Sequence, residues 1–320
     1  MNADIVLIKH YLDQALTGLS APLYYINDPS SRVYWGFLLS SVGLIMLSFF
    51  LRDKGLRVRK VMRAVFSPHY WFNRSTATDV FYLGLNSVLR ALLLIPLVGS
   101  HLWATIIVAR FFQANLGNSP DVVWPLWLIM ACYTLVFFIV EDLSRFLLHV
   151  AMHKLPFLWH FHRVHHSATV LTPLTVYRVH PLEMTLYFLR STAVFGLVSG
   201  LFVYLFGAKL GGFQILGVDA LGFIFCALGA NLRHSHIWLG FGKFERWFIS
   251  PAQHQMHHSK REQHKDINFG TCLACWDRVM GSLVLSPKRR RFAFGLSEPS
   301  AAKRRTRIEG VSSLSGAKIF

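Results

Sequence analysis

Long apolar runs separated by short polar stretches dominate the first two thirds of the chain. From Val33 to Leu51 every residue is apolar, aromatic, Gly or Ser. At about 1.5 Å per residue a helix of that length just crosses a hydrocarbon core of about 30 Å. A second run, Val80 to Ala109, is interrupted by Arg90, Pro96 and Gly99, which predicts one kinked span with a trailing interfacial piece. Val122 to Val140 is a cleaner run that leads directly into Glu141 and Asp142, so its helix is expected to continue beyond the bilayer. Met184 to Phe206 and Gly212 to Leu232 predict two further spans joined by a tight turn around Gly207 to Gly211. The expected fold class is all-α: an integral membrane helical protein of about four to five transmembrane helices, with a helical histidine-rich region outside the hydrocarbon.

Charge orients this arrangement. Arg52, Lys54, Arg57, Arg59, Lys60 and Arg63 follow the first run, interleaved with Leu56, Val58, Val61, Met62, Val65 and Phe66. That pattern predicts a basic interfacial helix on the cytoplasmic side. With an outside N-terminus and five crossings, the far-side loops carry little beyond Arg110 and Lys209. The histidine-rich stretches and the C-terminus then fall on the cytoplasmic side. Met1 to Arg32 lacks the basic start and early apolar core of a cleavable signal and reads as a short helix and loop. After Leu296 the chain turns rich in Ser, Ala, Lys and Arg, the pattern of a flexible tail near lipid headgroups. The expected organisation is therefore 1–78 for the N-terminal helix, first span and basic segment, 79–296 for the later spans and the histidine-rich stretches, and 297–320 for the tail.

Composition supports a bilayer as solvent, since 53% of residues are hydrophobic and mean hydropathy is +0.39. The formal net charge of +17 lies beside apolar stretches, so anionic headgroups are the expected counter-charge and no nucleic acid is expected. Cys132 and Cys226 lie within apolar runs, and Cys272 and Cys275 make a lone pair without a second pair nearby. They suggest packed small residues, neither a disulfide framework nor a zinc ribbon.

Histidine changes the picture. Of 16 histidines, 13 fall between His149 and His264. His149 and His153 stand one helical turn apart and share a face. His162-x-x-His165-His166 offers three imidazoles from about one turn, and His254-x-x-His257-His258 repeats that spacing. These boxes supply eight imidazoles on one side of the membrane, too many for one ion of coordination four to six. Two adjacent metals are the economical reading. Neutral imidazoles suit iron, zinc, copper or nickel, so spacing leaves the metal open. Asp142 lies seven residues before His149 and is the first candidate to hold a histidine tautomer from behind.

The ordered set of motifs resembles the fatty acid hydroxylase / sterol desaturase superfamily of membrane histidine-box di-iron oxidases. Asp142-Leu-Ser-Arg-Phe-Leu-Leu-His149-Val-Ala-Met-His153 resembles its first box, and Leu158-Trp159-His160-Phe-His162-Arg-Val-His165-His166-Ser167 its second. Arg178-Val-His180-Pro181-Leu-Glu183, His234-Ser235 and Ser250-Pro251-Ala-Gln-His254-Gln-Met-His257-His258 follow in order. Asp266-Ile-Asn268-Phe-Gly270, Trp276-Asp277-Arg-Val-Met-Gly281 and Phe294-Gly295-Leu296 match the closing signature. The likeness covers about residues 79 to 296. Val150 and His236 depart from residues common in the family.

The resemblance implies two iron ions as cofactor and O2 as co-substrate. It also implies an electron donor such as a cytochrome b5-like or ferredoxin-type protein. It adds His234 to the implied ligands, giving His149, His153, His162, His165, His166, His234, His254, His257 and His258. His180, Asp142, Asn268 and Asp277 are ligand or supporting candidates. His180 also reads as a helix-start residue beside Pro181, and Asn268 and Asp277 as turn or capping groups. His160, His236 and His264 read as surface or supporting groups.

The activity implied is hydroxylation or desaturation of a lipid such as a fatty acyl chain or sterol-like lipid, with hydroxylation favoured. Two other classes use the same residues. A membrane zinc hydrolase would use the cage to activate water, but the sequence has no H-E-x-x-H arrangement to supply a base. A non-enzymatic metal-binding or transport protein would place its ligands within the spans, whereas these histidines lie after or between them.

Overall fold

Helices form where the apolar runs lie, and they end where proline, glycine or a capping side chain intervenes. The computed structural model describes residues 3–52, 63, 65–120, 122–207, 212–215, 218–287 and 292–296. Most of the basic segment after Arg52, the turn at 208–211 and the tail from 297 lie outside these described residues. Helix α1 covers Ala3–Tyr24 and α2 covers Trp35–Arg52. A single turn, α3 (Pro68–Trp71), precedes α4 (Arg74–Leu89), whose start is capped by Asn73 accepting from the Thr76 amide at 3.0 Å.

The kink expected in the second run is present in detail. Residues Arg90–Leu94 form a π turn, Ile95–Val98 form a short α5 containing Pro96, and Gly99 breaks the helix at φ +82°. Pro96 has no amide hydrogen to donate to the preceding turn, which accounts for the local change in winding. Ser100 then starts α6 (His101–Leu116) by accepting from the Trp103 amide. Together Arg74–Leu116 make one broken stretch long and apolar enough to cross a membrane.

Helix α7 (Leu126–Lys154) is continuous for 29 residues, about 43 Å. A hydrocarbon core of about 30 Å is shorter than this helix, and His149 and His153 lie in its last turns. After α8 (Pro156–His166) and a 3-10 turn at Pro173–Tyr177, α9 (Pro181–Phe206) runs back along α7. Their shared core holds Ile129, Val194, Val198 and Phe202, with Tyr133 and Phe137 packed against it. Above this core Arg190 makes a two-pronged contact with Glu141, at 2.7 and 2.8 Å. Helix α6 packs still closer to α9: a Cβ at Gly196 or Gly200 would come within 2.8 Å of Ala104 or 2.6 Å of Val108. Small residues let the two backbones approach.

The expected span from Gly212 to Leu232 is not a helix of spanning length. Its described part holds two paired two-residue strands, β1 (Gln214–Ile215) and β2 (Val218–Asp219), then α10 (Ala220–Ala227) and a 3-10 turn at Ala230–His234. Asp219 caps α10 by accepting from the Gly222 amide at 2.7 Å, and Gly229 ends it at φ +93°. The segment is apolar because it packs on α2 and α7, with the Phe213 amide donating to Thr134 Oγ1 at 2.9 Å. Its hydropathy reports packing against protein as much as contact with lipid. Among the described residues three stretches are long and apolar enough to cross a membrane: Arg74–Leu116, Leu126–Lys154 and Pro181–Phe206. Trp35–Ser48 is a shorter apolar helix. The protein is an all-α membrane protein apart from the small hairpin.

Candidate metal centre

The nine histidines singled out by spacing and resemblance meet in one buried region. His149, His153, His162, His166 and His257 form one group, and His165, His234, His254 and His258 form a second. Within each group one ring nitrogen per histidine lies within 4.8 Å of every other. The groups adjoin, since the rings of His166 and His258 stack at 4.4 Å. Helix α7 supplies the first pair, α8 the His162 triad, and α11 (Pro251–His257) with its cap residue the His254 triad. Ser250 and Gln253 close α11 with a reciprocal capping box, fixing where His254 begins.

Consecutive histidines serve different groups. On α8, His162 and His166 are four residues apart and face the five-histidine group, while His165 points to the other. On α11, His257 joins the five while His254 and His258 join the four. The H-x-x-H-H pattern therefore divides its imidazoles between two centres, which follows from helical geometry.

Backing groups set the ring orientations. His149 Nδ1 donates to the Phe269 carbonyl at 2.7 Å, His257 Nδ1 to the Ile267 carbonyl at 2.8 Å, and His165 Nδ1 to the Arg178 carbonyl at 3.3 Å. His162 Nδ1 donates to Glu183 Oε1 at 2.7 Å, and His153 Nδ1 lies 3.4 Å from Asp266 Oδ1. With Nδ1 engaged outward, the Nε2 atoms of His153, His162 and His257 are buried without a partner, as is that of His166. In the second group the Nε2 atom of His234 lies 3.2 Å from that of His165, 3.2 Å from that of His258 and 3.1 Å from that of His254. Such edges fit nitrogens arranged about one ion with bonds of about 2.0–2.1 Å.

Burial keeps these imidazoles neutral, the form that binds metal. It pushes His162 and His165 down to about 3, the latter helped by neighbouring His162. His166, His234, His254, His257 and His258 are likewise held well below the ordinary imidazole range, first by burial and then by neighbouring rings. A buried cluster of neutral nitrogens with unpartnered Nε2 atoms fits a pair of metal ions.

The supporting candidates sort differently from expectation. Asp142 does not touch a histidine. Its carboxylate accepts from the Cys272 and Leu273 amides at 2.9 and 3.0 Å and from Trp276 Nε1 at 2.9 Å. The two turns separating it from His149 aim it at the 272–276 loop. Asp277 accepts from the Phe269 and Gly270 amides at 2.8 and 2.7 Å, holding the segment whose carbonyls back His149 and His257. Asn268, at φ +52°, bridges to the Val284 backbone in both directions and so fixes the same segment. His180 belongs to neither group and caps α9, its Nδ1 accepting from the Leu182 amide at 3.2 Å. His236 packs on Tyr70, and His264 Nδ1 pairs with Ser259 at 2.6 Å.

Sequence reasoning passed over three groups that matter here. Glu183, in the Arg178-to-Glu183 motif, backs His162. Asp266, at the head of the Asp266-to-Gly270 motif, faces His153 and also pairs with Lys154 at 2.9 Å. Arg178 and Asp79 form a buried ion pair at 3.3 Å, and Arg178 also donates to Val164 O, Ser75 O and Ser167 Oγ. This clasp ties α4 to the end of α8. The first two were visible as acidic residues inside motifs already singled out; Asp79 is remote in sequence and carried no local signal.

Residues 134–282 match the family model described as Fatty acid hydroxylase. The chain is 25% identical over 175 residues to the ornithine lipid hydroxylase OlsE of Rhizobium tropici, covering 54% of this chain and 48% of that protein. It is 28% identical over 203 residues to the very-long-chain aldehyde decarbonylase GL1-9 of Oryza sativa subsp. indica, covering 62% and 71%. It is 26% identical over 180 residues to the alkylglycerol monooxygenase of Danio rerio, covering 56% and 34%. The match thus spans about half of the Rhizobium relative and a third of the fish relative. No solved structure matches the chain significantly.

Proposed function

We propose that this chain, whose residues 134–282 match the fatty acid hydroxylase family model, is a membrane-bound oxidoreductase that hydroxylates a lipid with two iron ions and O2. The observation that carries this reading is the pair of adjoining, buried, all-imidazole groups built from His149, His153, His162, His166 and His257 and from His165, His234, His254 and His258. Bound iron would supply O2 activation and hydrogen abstraction from an unactivated C–H bond. The protein supplies the rest. Glu183 and the carbonyls of Phe269, Ile267 and Arg178 accept the Nδ1 protons, so each backed ring turns its Nε2 lone pair inward. Burial excludes water, and the projecting end of α7 sets the centre a few turns from the hydrocarbon.

Hydroxylation is balanced by C–H plus O2, two electrons and two protons giving C–OH and water. The electrons require a separate donor, for which a cytochrome b5-like or ferredoxin-type protein is the class proposed. Relatives named as a lipid hydroxylase and an alkylglycerol monooxygenase favour oxygen insertion over desaturation. Their names and that of the aldehyde decarbonylase point to an ornithine lipid, an alkylglycerol and a very-long-chain aldehyde, which supports a lipid with a polar head as substrate. The histidine region is proposed to face the cytoplasm, with the catalytic domain at 79–296. The test is metal analysis of anaerobically purified protein, followed by lipid profiling of cells with and without the gene under 18O2. Iron with labelled hydroxyl-lipid supports the reading; an unlabelled alkene would replace hydroxylation by desaturation, and turnover without O2 would refute both.

A further inference from the structure

Two short elements tied to the loop that Asp142 of α7 holds share one pattern. In the 3-10 turn Gly242–Arg246, Glu245 is turned inward and accepts from Ser250 Oγ and the Ser286 amide, both at 2.7 Å. Lys243, Phe244 and Arg246 face outward. In α12 (Cys275–Met280), Asp277 is turned inward, while Arg278, Val279 and Met280 face outward. Trp247 is 62% exposed and Val279 88%. The Arg278 guanidinium lies 5.1 Å from the Trp247 ring and donates to the Arg246 carbonyl. Arg246, Trp247, Arg278, Leu283 and Leu285 line an open cleft of about 450 Å³.

The outward face is cationic and apolar at once because both carboxylates in these elements are consumed inside. Its height relative to the bilayer follows from Asp142. That residue ends the apolar run of α7 and holds Leu273 and Trp276 directly, and Leu273 is bridged to Phe248. His149 lies seven residues further along, about 10 Å of helix. The patch is therefore tied to the chain nearer the hydrocarbon than the metal centre is. Exposed Trp and Phe beside arginine is the composition of a headgroup-level surface.

We propose that this face is an interfacial anchor that binds anionic phospholipid headgroups of the membrane crossed by α7. Arg246 and Arg278 meet lipid phosphate in the cleft, and Phe244, Trp247 and Val279 enter the acyl boundary. The inference rests on membrane residence alone and stands apart from the oxidase reading.

The test uses the full chain in nanodiscs of phosphatidylcholine, with or without phosphatidylglycerol, read by backbone hydrogen exchange at 243–248 and 276–280. Exchange there is expected to slow when phosphatidylglycerol is present. The gain should shrink about fivefold for each cation removed, about 25-fold in Arg246→Gln/Arg278→Gln. Exchange of the Ser250–His258 peptide reports whether the fold is kept. Should the double variant disturb it, Lys243→Gln/Arg246→Gln, which retains the Arg278 contact, decides instead. Equal exchange in both nanodiscs, or phosphatidylglycerol protection unchanged in a folded variant, overturns the proposal and leaves the face open to a soluble partner.

Discussion

Replacing Asp277 with Asn should unsettle one metal group and spare the other. The carboxylate is fully buried and accepts from the Phe269 and Gly270 amides and from the Ser282 hydroxyl. Asn keeps one acceptor oxygen and turns an NH2 toward a backbone donor, so at least one buried amide loses its partner. Hydrogen bonds to charged groups contribute about 1.5–3 kcal/mol each, and an orphaned buried donor costs about 1–3 kcal/mol, which places the loss on the order of 2–4 kcal/mol. In a chain of this size that lowers the melting temperature by about 3–6 °C.

The effect on metal should be unequal. Phe269 and Ile267 back His149 and His257, both in the five-histidine group, and loss of such support typically costs about 10–100-fold in affinity. Thermal unfolding followed by tryptophan fluorescence, with metal content measured across a chelator titration, checks both parts. One ion should leave the variant well before the other. If Asp277→Asn melts with the unaltered protein and releases both ions together, the chain of support from Asp277 to His149 is wrong.

Four further outcomes follow from the same geometry. Glu183→Gln keeps an acceptor for His162 but loses its charge and should weaken metal retention by about tenfold, with Glu183→Ala weaker still by up to about 100-fold, as read by chelator titration. Asp142→Ala orphans three donors in the 272–276 loop and should cost on the order of 3–6 kcal/mol; proteolysis should then cut near that loop first, and a stable variant would contradict its assignment as a loop holder. His165→Ala should abolish lipid product while leaving membrane insertion intact, and normal product yield would remove His165 from the centre. Burial lowers His162 and His165 from 6.5 to about 3, so the unfolded metal-free chain binds more protons between those values; stability is full above about pH 6.5 and should fall as pH drops toward 3, measured as melting temperature in chelator.

Much of the fold was legible because apolar run length and helical spacing act locally. The continuation of α7 through Glu141 to His153 and the kink around Pro96 follow from residues adjacent in sequence. The segment from Gly212 misled because hydropathy does not distinguish a lipid-facing helix from a glycine-punctuated stretch packed on α2 and α7. Spacing gathered the histidines, and helical phase sets His165 apart from the His162/His166 pair, yet it could not say which remote imidazoles join each group, since that depends on where α11 comes to rest. Asp142 was assigned to the wrong neighbour because helical phase gives a face without giving what packs there. Glu183 lay in plain view within a quoted motif, and only its 2.7 Å contact with His162 gives it a role.

The division of the nine imidazoles about α9 bears on biogenesis. The five-histidine set takes four donors made before that helix and one made after; the four-histidine set takes one before and three after. A ribosome that has emitted everything through Phe206 has thus released neither complete set. Both groups are therefore completed only once the last triad has been translated and packed against the first, although four imidazoles of the five-histidine set already exist by then.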